Sequence, residues 1–170
     1  MVGLVLDVST QNLPPDMSVN PGDSTTLAYK RSLFTTRLPL PFRYSTSHYW
    51  LFEKHGVWRV GLTQFATRMV GEIVDYGFEV HPGSMVRLGQ VLGWIEGMKA
   101  VSDLCCVIDG SFSAHNPLLS QDPEVIARDC YGQGWLYQVA GTPDPGCVNA
   151  EGYKEVLDET IDRLVEKQQS

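Results

Sequence analysis

Short runs in which apolar and polar residues alternate recur from Tyr49 to Val139, and they predict strands rather than long helices. Tyr49–Phe52 and Val57–Val60 flank His55-Gly56, a hairpin signal. Phe78 and Val80 alternate into His81-Pro82-Gly83, and Met85–Trp94 read as returning strands. Cys105–Phe112 continue the strand pattern, with a turn signal at Asp109-Gly110, and Trp135–Val139 form a last strand. Helical spacing interrupts this pattern three times. Thr63 reads as an N-cap, with Ala66, Met69, Val70 and Ile73 on one face and an end blurred by Gly71 and Gly77. Asp122-Pro123-Glu124 reads as a helix start, stopped by Gly132 and Gly134. Gly141–Gly146 is a linker or turn. Asn149 then caps a helix from Ala150 to about Lys167, whose apolar stripe holds Tyr153, Val156, Leu157, Thr160, Ile161, Leu164 and Val165.

Many short strands with helices at their margins predict a mainly β fold: a flattened barrel or sandwich of two small antiparallel sheets with an added C-terminal helix. The helix is expected to bury its stripe on its own domain. Residues 9–28, rich in Ser, Thr, Asn, Pro, Gly and Asp, read as an irregular arm, and Pro39 and Pro41 stiffen the chain after it. The division is an arm over 1–30, a domain over 31–146 and the helical segment 147–170.

The chain has 170 residues, 43% hydrophobic and 19% charged, enough for one domain with a sizeable core. Its net charge of −7 argues against nucleic acid or an anionic membrane as partner. No apolar run approaches the ~20 residues that span a bilayer. Met1–Val8 lacks a basic start and is short for a signal peptide, and Asp7, Asp16 and Asp23 speak against a transit peptide, so bacterial cytoplasm is expected. Cys105, Cys106, Cys130 and Cys147 match no zinc spacing and no Cys-x-x-Cys motif. The histidines at 48, 55, 81 and 115 are scattered, and no nucleophile elbow, phosphate loop or His-Glu-x-x-His is present, so no independent catalysis is expected.

One position carries candidate chemistry. Lys99 sits at a tight turn, with Val91, Leu92, Trp94 and Ile95 leading in and Val101, Leu104, Val107 and Ile108 leading out. Lysine is a poor turn residue unless the amine itself is needed there. An amine on a hairpin tip is the geometry of a covalent swinging arm.

Glu96-Gly97-Met98-Lys99-Ala100-Val101-Ser102-Asp103-Leu104 resembles the lipoyl-attachment segment of the glycine cleavage H-protein family, Glu-Ser-Val-Lys-Ala-Val-Ser-Asp-Leu. Further segments resemble that family in order: Tyr44–Leu51, Val60–Ala66, Gly71–Val74, Pro82–Val86, Asn116, Asp122–Ile126 and Asp129–Leu136. The resemblance covers about residues 44–139. It implies a lipoyl hammerhead-type domain, lipoate amide-linked to Lys99, and no catalysis by the chain itself. The implied partners are a lipoate ligase or lipoyltransferase and the P, T and L proteins, between which the arm shuttles an aminomethyl group and electrons. Such an arm would reach roughly 15 Å from the backbone.

Around that lysine, Glu96 and Asp103 bracket the turn, either for recognition by ligase and partners or as plain solvation. Gly97 is expected to permit the turn through φ > 0. On that basis Gly97→Val would slow modification with little change in melting temperature, the tip being far from the core. Met98 matches half of the biotinyl pattern of Met on both sides of the lysine, but Ala100 does not. Gly97, Met98, Cys105-Cys106 and Cys130 depart from the family's usual residues. Divergent carriers of this type serve bacterial sulfur oxidation with a heterodisulfide-reductase-like complex, and that is the alternative pathway; an unmodified structural homologue is the remaining reading. Cys147 could meet the outward member of the Cys105-Cys106 pair, although a permanent disulfide is not expected in a reducing compartment.

Overall fold

The computed structural model describes residues 25–170. The expectations for Met1–Val8, and for the arm as far as residue 24, lie outside the described residues. The chain runs β1 (Thr26–Arg31), β2 (Phe34–Pro39), β3 (Arg43–Tyr44), β4 (Tyr49–Lys54), β5 (Val57–Leu62), α1 (Gln64–Val70) and β6 (Ile73–Phe78). It continues through β7 (Met85–Val86), β8 (Val91–Gly97), β9 (Val101–Cys105), β10 (Ile108–His115), a 3-10 turn (Pro117–Ser120), α2 (Val125–Arg128), β11 (Tyr137–Pro143) and α3 (Ala150–Gln169).

Two antiparallel sheets form the body: six strands ordered β3-β4-β5-β11-β10-β7, and three ordered β6-β8-β9. Between them lies a core of Leu51, Val60, Leu92, Ile95, Leu104, Ile108, Phe112 and Val139, each less than 2% exposed. A separate hairpin, β1–β2, and α3 enclose a second, aromatic core with Phe42, Tyr44, Trp50, Phe65 and Tyr131. The first strand starts at Thr26, so the boundary drawn at residue 30 falls inside β1. Polar composition suggested a loop there, but Tyr29 is buried and its hydroxyl donates to Asp158 on α3 at 2.7 Å.

The β4–β5 turn forms at His55-Gly56 as expected, both residues having positive φ (54° and 77°). Four local expectations are corrected. Gly71, at φ 84°, ends α1 after two turns, so Ile73 begins β6 instead of extending the helix, and Met69 is 45% exposed; the buried face is Phe65, Thr67 and Val70. Asp109-Gly110 is no turn: Gly110 lies within β10, opposite Gly141. The chain passes instead from the three-stranded to the six-stranded sheet at Cys106-Val107. There the backbone is satisfied by two buried hydroxyls, Tyr49 accepting from Cys105 N (2.9 Å) and Tyr137 accepting from Val107 N (3.2 Å). Finally, β11 runs on to Pro143, leaving only Asp144–Gly146 for the turn, and α2 begins at Val125 with no side-chain cap, Asp122 pairing with Arg128 instead.

The added helix does pack on its own domain. Tyr153, Leu157 and Ile161 are buried and Leu164 is partly buried. Tyr153 stacks on Tyr44 with centroids 4.8 Å apart, and its hydroxyl meets both His48 Nδ1 and Thr63 Oγ1 at 2.8 Å. Burial, with Arg163 nearby, lowers His48 from its ordinary 6.5 to about 4. Between those values the unfolded chain binds a proton that the folded chain refuses. Stability from this site is therefore complete above pH 6.5 and is lost as the pH falls toward 4, by ~3 kcal/mol in all. His48 has φ 71°, which Asn tolerates. Denaturant melts of His48→Asn from about pH 7 down to about 4.5 should be flatter than wild type; parallel curves would refute a neutral half-buried imidazole.

Candidate functional site

β8 and β9 pair from Glu96↔Val101 back to Val91↔Cys105 and close on a two-residue turn, Met98-Lys99, through Gly97 N donating to Ala100 O at 2.9 Å. Neither turn residue has positive φ, and neither does Gly97. The hairpin expected from the sequence is present, but the expected role of Gly97 is wrong. Its missing side chain is needed because a Cβ would overlap the Val70 carbonyl oxygen and lie 2.5 Å from Val70 Cγ1.

That clash shows what the tip rests on. A helix leaves its last carbonyls without intrahelical donors. At the end of α1 the turn supplies them: Lys99 N donates to Val70 O at 3.0 Å, and Met98 N donates to Glu72 O at 2.9 Å just beyond. Both central amides of the turn are thus anchored. Gly71 leaves room for the lysine stem, since a Cβ there would sit 2.9 Å from Lys99 Cγ. The side chain is exposed, and Nζ lies 3.4 Å from the Arg68 carbonyl oxygen.

The other sequence candidates divide. Met98 is 72% exposed beside the lysine, and Ala100 is exposed on the other side. Glu96 lies opposite Asp75 and Val101, and Asp103 lies opposite Trp94, so both carboxylates sit on the strands leading to the tip. Among the described residues neither forms an ion pair, and neither does Lys99. Sequence reasoning missed Arg68, Val70 and Glu72, whose part is played by backbone carbonyls; Gly71 was visible only as a helix terminator. A cleft of about 310 Å³ opens at the turn, walled by Leu62, Ala66, Met69, Ala100, Val101 and Leu104.

The four thiols are free. Cys106 and Cys130 are buried, and Cys105 and Cys147 half-buried. Burial pushes all of them up, Cys130 to about 12 and Cys147 to about 11, away from the thiolate form.

Lys99 suits acylation. No carboxylate loses a partner when its charge is removed, and a secondary amide still has one N–H to donate to Arg68 O. A two-sheet domain presenting an exposed lysine on an anchored hairpin has the form of a carrier domain. The profile of the Glycine cleavage H-protein family matches residues 42–160. Glycine cleavage system H proteins of Bacteroides fragilis and Shewanella sp. (strain ANA-3) are 34% and 33% identical over 122 and 128 residues, covering 70% and 73% of this chain and 96% and 98% of theirs. The crystal structure of a glycine cleavage system H protein from Mycobacterium marinum superposes with a TM-score of 0.63 at 32% identity, over 68% of this chain and 95% of that one. The chain belongs to the glycine cleavage H-protein family, a family of carrier subunits. The match takes in the first half of α3, so that part of the helix is family structure and not an addition.

Proposed function

We propose that this chain is a lipoyl carrier of glycine cleavage, with lipoate amide-linked to Lys99 and with a lipoate ligase or lipoyltransferase and the P, T and L proteins as partners, in the bacterial cytoplasm. One observation carries the reading: both backbone amides of the Met98-Lys99 turn are held by the end of α1 while the lysine side chain is exposed and forms no ion pair among the described residues. Lipoate, when bound, would supply a dithiolane whose S–S bond opens as it accepts a carbon group together with two electrons and, once the group has left, closes again by thiol–disulfide exchange with a partner's disulfide, which takes the two electrons. The chain's own residues fix the attachment point. Val70 O and Glu72 O orient the turn, Gly71 clears the lysine stem, and Arg68 O, which accepts from the free amine, would be in place to accept from the amide N–H of the modified lysine. Met69, Ala100 and Val101 offer an apolar wall next to the turn. The sulfur-oxidation alternative draws no support from the cysteines, since burial disfavours every thiolate.

Incubation with lipoate, ATP and a lipoate ligase should raise the intact mass by one lipoyl group in wild type and not at all in Lys99→Arg. A modified Arg variant, or uptake of biotin with a biotin ligase, would sink the assignment.

A further inference from the structure

A second exposed tip lies at the lysine end of α1. The β1–β2 hairpin turns at Ser32-Leu33, with Ser32 at φ 54° and Leu33 96% exposed. Turns favour Gly, Asn, Asp, Ser and Pro, and an isobutyl group in solvent adds nothing to one. A lone exposed leucine is ordinary, but the position of this one is not. At the start of α1, Gln64 meets Thr36; further along, Phe34 packs edge-on against Phe65 (5.5 Å, 87°) and lies beneath the Arg68 guanidinium at 5.4 Å. The hairpin therefore runs antiparallel to α1 and directs its tip toward the helix end that anchors Lys99. Arg68 links the two tips, its guanidinium over Phe34 and its carbonyl at Lys99 Nζ. Met69, Met98 and Val101, at 45%, 72% and 69% exposure, complete a broken apolar rim around the lysine. The hairpin lies outside the family match, which starts at residue 42.

An enzyme that acylates Lys99 must close over this turn. A specific interface covers about 800 Å² per partner, about 30 Å across if round. A chain of contacts joins Leu33 to Lys99 through its neighbour Phe34 and then Arg68. We infer that Leu33 is a recognition contact for the lipoate-attaching enzyme, entering an apolar pocket on it and helping to set which enzyme modifies this carrier. The inference rests on Lys99 being the lipoyl site.

The test is steady-state lipoylation of the full chain by the source organism's lipoate ligase, with lipoate and ATP. Leu33→Asp should raise KM for the carrier about tenfold with kcat unchanged, because the contacts that present the amine are untouched. Leu33→Met should restore a near wild-type KM, and both variants should melt as wild type does. Met85→Asp, at a 74% exposed position on the edge strand of the other sheet, should change nothing. A wild-type KM for Leu33→Asp overturns the inference, as does an equal rise for Met85→Asp, or a wild-type dimer that Leu33→Asp dissociates. A wild-type chain that takes no lipoyl group overturns the underlying assignment of Lys99 and the inference with it.

Discussion

Deletion of residues 150–170 should leave a chain without a cooperative melt. Tyr153, Leu157 and Ile161 are 0%, 0% and 6% exposed, and each buried side chain of this size is worth ~1.5–3 kcal/mol. Their joint loss, ~5–9 kcal/mol, rivals the ~5–15 kcal/mol by which a domain is stable. The deletion also strips the aromatic core of one wall, uncovering Tyr44, and releases Arg31, which pairs with Asp158 (3.2 Å) and Asp162 (2.8 Å). Those pairs are exposed and add little, so the apolar face dominates. Circular dichroism against temperature checks this. Tyr153→Phe provides a milder variant: it keeps the ring stack but takes the hydroxyl from His48 and Thr63, and should cost about 1–3 kcal/mol. A truncated chain that melts within a few degrees of the full one would mean that the helix serves a partner instead.

Gly97→Val should damage both stability and lipoylation. The valine side chain would be driven into the Val70 carbonyl, forcing the turn off the end of α1. Overpacking of this kind costs about 1–3 kcal/mol. The bonds from Lys99 N to Val70 O and from Met98 N to Glu72 O then weaken or break, at about 1 kcal/mol each. The total, ~2–5 kcal/mol, should lower the melting temperature by about 5–15 °C in a chain of this length. Lipoylation should slow as well, because the amine is no longer presented from a fixed turn. A variant that melts like wild type would show that the tip is not docked on α1, which is what the sequence alone suggested.

Local chemistry made much of the fold legible. His55-Gly56 specifies its turn because both residues tolerate positive φ, and Thr63 and Asn149 cap their helices through side-chain oxygens within three residues. The α3 stripe reads correctly because i, i+4, i+8 spacing at Tyr153, Leu157 and Ile161 requires nothing beyond the helix itself. Errors fell where a distant segment overrides a local preference. Asp109-Gly110 resembles a turn, yet β11 pairs across it and holds it in a strand. Residues 26–30 read as the end of an irregular arm until α3 gives Tyr29 a place to bury.

Lys99 shows the same division at the site. The sequence by itself determined that a lysine stands on a β-hairpin, since turn residues and strand alternation are short-range signals, and the residues flanking it carried the family resemblance. Only the tertiary structure decided how the hairpin is held. Val70, Gly71 and Glu72 lie more than twenty residues away and act through carbonyl oxygens and a missing Cβ, groups that leave no mark in a side-chain pattern. The close approach of two backbones also explains why Gly97 is glycine, where a single-turn argument had turned to its φ angle.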